Sequence, residues 1–338
     1  MTLTTDLAKL KELPNKPGGA NSALKLVVRW YFNHAYGIWD GVEPFYCKKS
    51  MVGWLAVSRK GLAEGTDEAL FRLFVLLSMY QALRDEVVRR RQRELQGSEA
   101  RVLGDLRTLQ GAIAKNDCFA LSSAIEFERA CDVEKAGRVV DCGLNPGIPC
   151  HVKEATLAFN RMGDMGKLPS SAWLHFWKAG GMKRLLVEVC VLEKAPARRA
   201  ELLVERFSVV HRVGRKLATM FVSALSTPAL APGLTPWFPE ISGNELVVVD
   251  TNVASAVDLL RQADTMRTYE ARAAWVRDQA AHLDLREFRK DVPSYSPRLV
   301  QQALYTFCSR SNRMAREDPC ALVPGHCYEC APELCPFV

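Results

Sequence analysis

Two amphipathic helical segments separated by a very short reversal constrain the fold of this chain more than any other sequence feature. In ARRAELLVERFSVVHRVGRKLATMFVSAL, residues 197–225, apolar residues recur at helical spacing on both sides of His211–Gly214. Only about four residues remain for the reversal, so the segments are predicted to form a tight helical hairpin in which Gly214 relaxes the backbone. Helical periodicity prevails along the rest of the chain and predicts an all-α protein.

The second helix of this hairpin is predicted to begin with exposed backbone amides near Gly214 and Arg215. Such N–H groups, together with the positive end of the helix dipole, suit a phosphate. Arg212 and Lys216 add positive charge at the same place, and the net charge of +7 favours polyanionic partners. The candidate DNA-binding residues are therefore Arg212, Val213, Gly214 and Arg215.

A short β-like run, Glu245–Asp250, ends on a carboxylate at the start of a helical segment. One interpretation makes Asp250 the N-cap of that helix, a position that suits aspartate, and the other gives its carboxylate a catalytic role. Asp258 and Asp264 are alternative carboxylates further along the chain. The preceding residues 226–244 are rich in Pro and Gly and predict a loop of low helical content.

Four of the eleven cysteines lie in a short segment at the C-terminal end of the chain. The cysteine count is odd and no export signal is evident, so reduced cysteines that bind a metal are expected. Structural zinc usually pairs two short clips, whereas only one such clip is present, and a [4Fe–4S] cluster suits the wider spacing better. Zinc remains the alternative. The predicted ligands are Cys320, Cys327, Cys330 and Cys335.

The sequence shows no sign of export or membrane insertion. The first twenty residues lack the apolar region of a secretory signal. The most apolar stretch, Ala69–Leu83, is too short to span a bilayer and is predicted to be a buried helix. The protein is expected to be intracellular, located with the DNA, and without a membrane partner.

The order of these features resembles the endonuclease III-like branch of the HhH-GPD DNA glycosylases. Residues 210–218 resemble the helix-hairpin-helix pattern Leu-Pro-Gly-Val-Gly-x-Lys-Thr-Ala, with Arg212 in place of the first glycine. Val-Asp-Thr at 249–251 and the terminal Cys-x6-Cys-x2-Cys-x4-Cys follow in the family's order, although the family's last gap is usually one residue longer. The resemblance extends from Glu201 to the C-terminus and is faint over residues 119–194.

For the fold, the resemblance implies two helical subdomains that contain a helix-hairpin-helix motif, an active-site cleft between them and a C-terminal [4Fe–4S] loop. Residues 1–110 then form an N-terminal helical extension that packs partly on the C-terminal subdomain. Residues 111–245 form a helical barrel subdomain with the hairpin at about 201–225 and an inserted loop at 226–244. Residues 246–338 hold the catalytic aspartate helix and the cluster.

For function, the resemblance implies a monomeric enzyme that flips a damaged, mismatched or modified base out of double-stranded DNA and excises it. Asp250 would stabilise positive charge at the sugar C1′, and Lys216 would attack C1′, form a Schiff base and permit strand cleavage. Arg129, Trp237 and Phe238 are the candidate base-pocket residues. If Lys216 only contacts phosphate, the enzyme is a monofunctional glycosylase that uses water. A non-catalytic DNA-binding protein is the further alternative.

Overall fold

The computed structural model describes residues 19–37, 51–52, 57–81, 104–131, 147–160, 166–261, 266–315 and 334–337, together with residues 87, 144 and 331. The described part is mostly helical, which confirms the all-α prediction. The chain divides into two compact units, one formed by residues 1–39 and 244–338 and the other by residues 40–243. Among the residues that the structure describes, no helix combines the length and apolar character that a membrane span requires.

The described elements follow one another as short to medium helices with a single two-stranded ribbon. The α-helices are α1 (Gly19–His34), α2 (Arg59–Glu64), α3 (Asp67–Leu77), α4 (Leu106–Ala114), α5 (Ala124–Ala130), α6 (His151–Asn160), α7 (Leu168–Ala172), α8 (Gly181–Leu192), α9 (Pro196–Phe207), α10 (Arg215–Ser226), α11 (Thr251–Arg261), α12 (Tyr269–Ala281), α13 (Pro297–Cys308) and α14 (Arg310–Ala315). A π-helical turn (Trp173–Trp177) continues α7, and single 3₁₀ turns lie at Phe119–Leu121 and Leu285–Glu287. The ribbon pairs β1 (Met51–Val52) with β2 (Val57–Ser58) in antiparallel register.

The core of the 40–243 unit is an aromatic cluster. Phe74 from α3 packs edge-on against Phe221 from α10, with ring centroids 4.9 Å apart, and Phe207 from α9 lies 5.0 Å from Phe221. All three rings are buried. Their separations are typical of aromatic side chains that pack in a protein core. The predicted buried helix in the segment Ala69–Leu83 is thus confirmed as α3, although that helix ends at Leu77.

The other unit is built on contacts between α1 and α13. Trp30 lies edge-on to Phe307 at 5.1 Å, and Phe32 stacks on Phe288 at 6.4 Å. Lys25 pairs with Glu287 at 3.4 Å on the surface of the same unit. Of the residues predicted to form an N-terminal extension, α1 therefore packs in the unit that contains the C-terminal helices, whereas α2–α4 belong to the other unit.

The inserted loop, residues 226–244, contains no helix beyond Ser226 and packs on α9 and α10. Its backbone donates hydrogen bonds from Trp237 to the carbonyl of Leu225 at 3.2 Å and from Gly243 to the carbonyl of Ser226 at 2.9 Å. A Cβ atom on Gly243 would lie 2.5 Å from Oγ1 of Thr227, so only glycine fits this close approach. The prediction of a loop with low helical content is confirmed, and the loop is a packed part of its unit.

Candidate nucleic-acid interface and active-site residues

Helices α9 and α10 pack against each other and are joined by residues 208–214, a connection somewhat longer than the four residues expected. These two helices and their connection are called the hairpin below. The N–H of Val213 donates to the carbonyl of Val210 at 2.9 Å, which closes a turn whose third residue, Arg212, has a φ of +61°. Turns with positive φ at the third position normally take glycine there, and a non-glycine residue costs about 1–2 kcal/mol.

The position of the backbone strain corrects the expectation for Gly214. Gly214 has φ −84° and ψ 176°, an extended conformation that any residue adopts, and a Cβ atom on it would meet nothing within 4 Å. The chain reverses through the positive φ of Arg212 instead. Arg212 therefore occupies the conformation that a glycine would favour at this place, and Gly214 leaves the N-terminus of α10 open to the approach of a bulky group.

The two cations at the start of α10 differ in their surroundings. Nη2 of Arg215 lies 2.6 Å from Oε2 of Glu201 on α9, so part of its charge is neutralised within the hairpin. Lys216, which is half-buried, has no side-chain hydrogen bond or ion pair with any residue that the structure describes. The side chain of Val213 is buried and its N–H is used in the turn. Of the predicted interface, Arg212 and Gly214 are exposed.

A polar cluster that the sequence analysis did not predict holds the hairpin turn. The N–H of His211 donates to Oγ of Ser171 on α7 at 3.0 Å, and Nδ1 of His211 lies 3.0 Å from Oε2 of Glu128 on α5. Glu128, Ser171 and His211 are called the clamp below. Its members are 40 and 83 residues apart in the chain, so no local pattern could reveal it.

The electrostatic balance of the clamp favours an ionised carboxylate at Glu128. Burial raises the pKa of Glu128, but hydrogen bonds from His211 and Ser171, together with the charges of His211 and Lys167, outweigh it, so the pKa lies below its ordinary value. Nζ of Lys167, which is almost fully buried, donates to the backbone carbonyl of Glu128 at 2.8 Å. The clamp is thus a partly buried polar contact that joins α5, α7 and the hairpin turn.

Asp250 precedes α11 and caps it, as the N-cap interpretation predicts. Its Oδ1 accepts the N–H of Val253 at 2.8 Å. Residues 246–249 before it are buried and form no regular secondary structure, and the hydroxyl of Tyr269 donates to the carbonyl of Val247 at 2.7 Å. Burial, with a smaller contribution from the negative charge of Asp250, raises the pKa of the Cys308 thiol to about 12. The cap hydrogen bond thus orients the Asp250 carboxylate.

Asp258, the first alternative carboxylate, is committed to an ion pair. Arg272 donates to it from Nε at 2.9 Å and from Nη2 at 2.6 Å, and this bidentate hydrogen bonding holds the pKa of Asp258 below its ordinary value. The pair joins α11 to α12, which is a structural role. Asp264 lies outside the described residues.

The three candidate pocket residues are placed very differently. Trp237 is 3% exposed and stacks on Phe207 with the two rings nearly parallel and 6.3 Å apart, so it is part of the aromatic core and not a wall that a base could reach. Phe238 beside it is 43% exposed and can meet a ligand. Arg129 is exposed and pairs with Glu126 on the same helix. Sequence spacing alone could not separate the inward ring from the outward one.

Three of the four predicted metal ligands, Cys320, Cys327 and Cys330, lie outside the described residues. The fourth, Cys335, is buried, and Nη1 of Arg313 lies 3.6 Å from its Sγ. A hydrogen bond from a guanidinium is strongest when the acceptor carries negative charge, as the thiolate of a metal-bound cysteine does. The surroundings of Cys335 therefore suit a metal ligand.

Of the two predicted catalytic residues, Lys216 lies in the unit of residues 40–243 and Asp250 in the unit of residues 1–39 and 244–338. No protein-family model, no curated protein and no solved structure matches this chain. The case for a function therefore rests on the motifs and contacts of the chain itself.

Proposed function

We propose that this protein is a DNA glycosylase that excises a damaged, mismatched or modified base from double-stranded DNA and cleaves the strand through Lys216. The observation that carries the proposal is the turn of the hairpin. Arg212 has positive φ at the position where the resembled motif has its first glycine, and Gly214 and Lys216 follow at the motif's spacing. A residue with a long side chain takes up this conformation at a cost, and such strain is concentrated at functional sites.

The start of α10 supplies the features that a DNA phosphate requires. Gly214 is exposed, and a side chain added there would meet no other atom within 4 Å, so a phosphate can approach the first amides of the helix. Arg212 lies exposed beside it. Charge from Arg and Lys at such a point dominates the affinity for a nucleic-acid backbone and makes it dependent on salt.

The chemistry needs an amine and a carboxylate at one deoxyribose. In the proposed reaction, deprotonated Lys216 Nζ bonds to C1′ while the bond from C1′ to the base nitrogen breaks, and the base leaves with that electron pair and takes up the proton that the attacking amine releases. The C1′–O4′ bond then opens to give the Schiff base and a hydroxyl at C4′, and loss of a C2′ proton with the 3′ phosphate cleaves the strand. The carboxylate of Asp250 stabilises the positive charge that develops on the sugar. In support, Lys216 is not held by a described carboxylate, and Asp250 is held in one orientation by its cap hydrogen bond.

The C-terminal cysteines complete the proposal. Cys320, Cys327, Cys330 and Cys335 would hold a [4Fe–4S] cluster, with zinc as the alternative metal. When bound, the metal would cross-link the terminal segment through these cysteines. Arg313 is fully buried beside Cys335 and would support this structural role.

Trapping with borohydride on a duplex that contains an abasic site tests the proposal directly. We expect a covalent protein–DNA adduct with the wild type and with Lys183→Ala, which removes an exposed lysine of α8, and no adduct with Lys216→Ala. Base excision without an adduct would favour the monofunctional enzyme. DNA binding with neither activity on a panel of damaged and modified bases would favour a non-catalytic DNA-binding protein.

A further inference from the structure

The turn of the hairpin is fixed from outside the hairpin. His211, the residue before Arg212, is held by its backbone N–H on Ser171 and by its ring on Glu128, both at 3.0 Å. Ser171 is fully buried, and the side chains of His211 and Glu128 are 18% and 31% exposed. Two contacts that restrain both the backbone and the side chain of one residue leave the turn little freedom to relax.

The restrained residue is next to the strained one. Arg212 has φ +61°, and among the described non-glycine residues it is the one with positive φ. A strained backbone persists only when the surrounding structure over-determines it. The valines on either side, Val210 and Val213, are buried and hydrogen-bonded to each other, which restrains the ends of the turn but not the peptide between His211 and Arg212. The clamp supplies that restraint.

We infer that Glu128 is a positioning residue for the hairpin. Together with Ser171, it holds His211 and thereby keeps Arg212 in the left-handed conformation. This conformation fixes the position of the first residues of α10, including Lys216, where DNA would bind. The inference rests on the proposed function. Lys167 supports it, because its buried ammonium holds the carbonyl of Glu128 and thereby fixes the end of α5. Loss of the clamp would let the turn relax to negative φ and move the first residues of α10.

A glycine at position 212 makes this role measurable, since glycine adopts positive φ without help. Glu128→Gln is introduced into the wild type, into Arg212→Gly and into Arg212→Ala. The affinity of each protein is measured for a duplex with a tetrahydrofuran abasic-site analogue, which cannot form the Schiff base. Both substitutions at 212 remove the same charge, so they differ only in the conformation that they tolerate.

We expect Glu128→Gln to weaken binding by about five- to tenfold in the wild type and in Arg212→Ala, where the strain of the left-handed residue must still be opposed. In Arg212→Gly the loss of affinity caused by Glu128→Gln is expected to be less than about twofold, because glycine adopts positive φ without strain and the turn no longer needs the clamp. Glu126→Gln, which removes a similarly half-buried carboxylate of α5 that pairs with Arg129 and not with the hairpin turn, is the matched control. An equal loss in all three backgrounds would show that Glu128 stabilises the fold generally, and would overturn the inference.

Thermal unfolding of the same proteins separates this inference from the proposed function. The drop in Tm caused by Glu128→Gln is expected to be smaller in Arg212→Gly than in Arg212→Ala, whether or not the protein binds DNA. If the wild type binds no duplex, the proposed function fails, and the unfolding measurements still show whether the clamp holds Arg212 at positive φ. Ser171→Ala removes the second contact on His211 and is measured in the same backgrounds, so a Glu128→Gln protein that does not fold leaves the test intact.

Discussion

Nη1 of Arg313 lies 3.6 Å from Sγ of Cys335, and the whole arginine side chain is shielded from solvent. The guanidinium is surrounded by the rings of Trp30, Phe307 and Phe337, whose centres are 4.8, 4.9 and 5.0 Å away. These rings come from α1, from α13 and from the terminal segment. One buried cation therefore connects the first described helix of the chain to the last predicted metal ligand.

Replacement of Arg313 by methionine should destabilise the packing of α14 against α1, α13 and the terminal segment. The change keeps much of the side-chain volume but removes the donor to Cys335 and the cation–π contacts, so a loss of about 2–4 kcal/mol in the free energy of unfolding is expected. Thermal unfolding and the iron content of the purified protein are the measurements. Arg310→Met, at an exposed position of the same helix, is the control. Unchanged stability and iron content in Arg313→Met would rule out this role.

Two substitutions at Asp250 separate helix capping from catalysis. Asparagine also accepts the Val253 N–H as an N-cap, whereas alanine does not, so Asp250→Ala should lose about 1 kcal/mol of stability and Asp250→Asn much less. Both should abolish base excision, because neither provides a carboxylate to stabilise charge on the sugar. Urea unfolding and single-turnover excision are compared. Full activity of Asp250→Asn would restrict this residue to its capping role.

Glu201 is expected to weaken DNA binding by neutralising Arg215. Their ion pair at 2.6 Å commits a guanidinium at the start of α10, so Glu201→Gln should raise the affinity for duplex DNA at low salt by about two- to fivefold. The dependence of affinity on salt should become steeper. Glu205→Gln on α9 makes the same change in net charge at an exposed site and is the control. Equal effects of the two variants would mean that only net charge matters.

The sequence was sufficient for features that depend on local periodicity and composition. The helices of the hairpin, the buried helix α3 and the loop after Ser226 follow from apolar spacing and from the Pro and Gly content. It was insufficient where a residue's role depends on distant partners. Nothing near Arg212 indicates that this arginine, and not Gly214, carries the positive φ, because the clamp that holds the turn comes from α5 and α7.

Side-chain direction was the second limit. Trp237 and Phe238 are neighbours in a segment without a regular period, so no pattern tells which ring faces the core. Arg313 is a charged residue of a type that is usually exposed on a helix, and it is buried because aromatic rings from α1, α13 and the terminal segment enclose it. Predictions of contact surfaces from sequence therefore fail first at large side chains in loops and at the edges of short helices.

The neighbouring aromatic residues of the inserted loop should respond differently to truncation. Trp237→Ala removes a ring that packs on both Phe207 and Phe221, and a loss of about 3–5 kcal/mol in stability is expected. Phe238→Ala removes a ring that is 43% exposed, so stability should change little. If Phe238 belongs to the base pocket, as the sequence analysis predicts, Phe238→Ala weakens binding to the abasic-site duplex. Binding and Tm are measured for both variants, and unaltered binding by Phe238→Ala would remove this ring from the interface.

The stability of the protein should depend on pH through Glu128. Because the clamp lowers the pKa of Glu128 from its ordinary value of 4.5, the native state favours the ionised carboxylate more than the unfolded chain does. The resulting stabilisation is complete above pH 4.5 and is lost as the pH falls through the lower folded value. The charged or titratable groups around this carboxylate are His211, Lys167 and His175.

Glu128→Gln removes this titration, so the difference in unfolding free energy between wild type and variant should shrink as the pH falls below 4.5. Urea midpoints measured at a series of pH values give that difference directly. Glu126→Gln, at a half-buried position of the same helix that pairs with Arg129, shows how much of any change comes from the removal of one negative charge from α5. A difference that stays constant down to pH 3 would mean that His211 and Ser171 do not stabilise the ionised carboxylate of Glu128. The clamp would then contribute no electrostatic stabilisation to the fold.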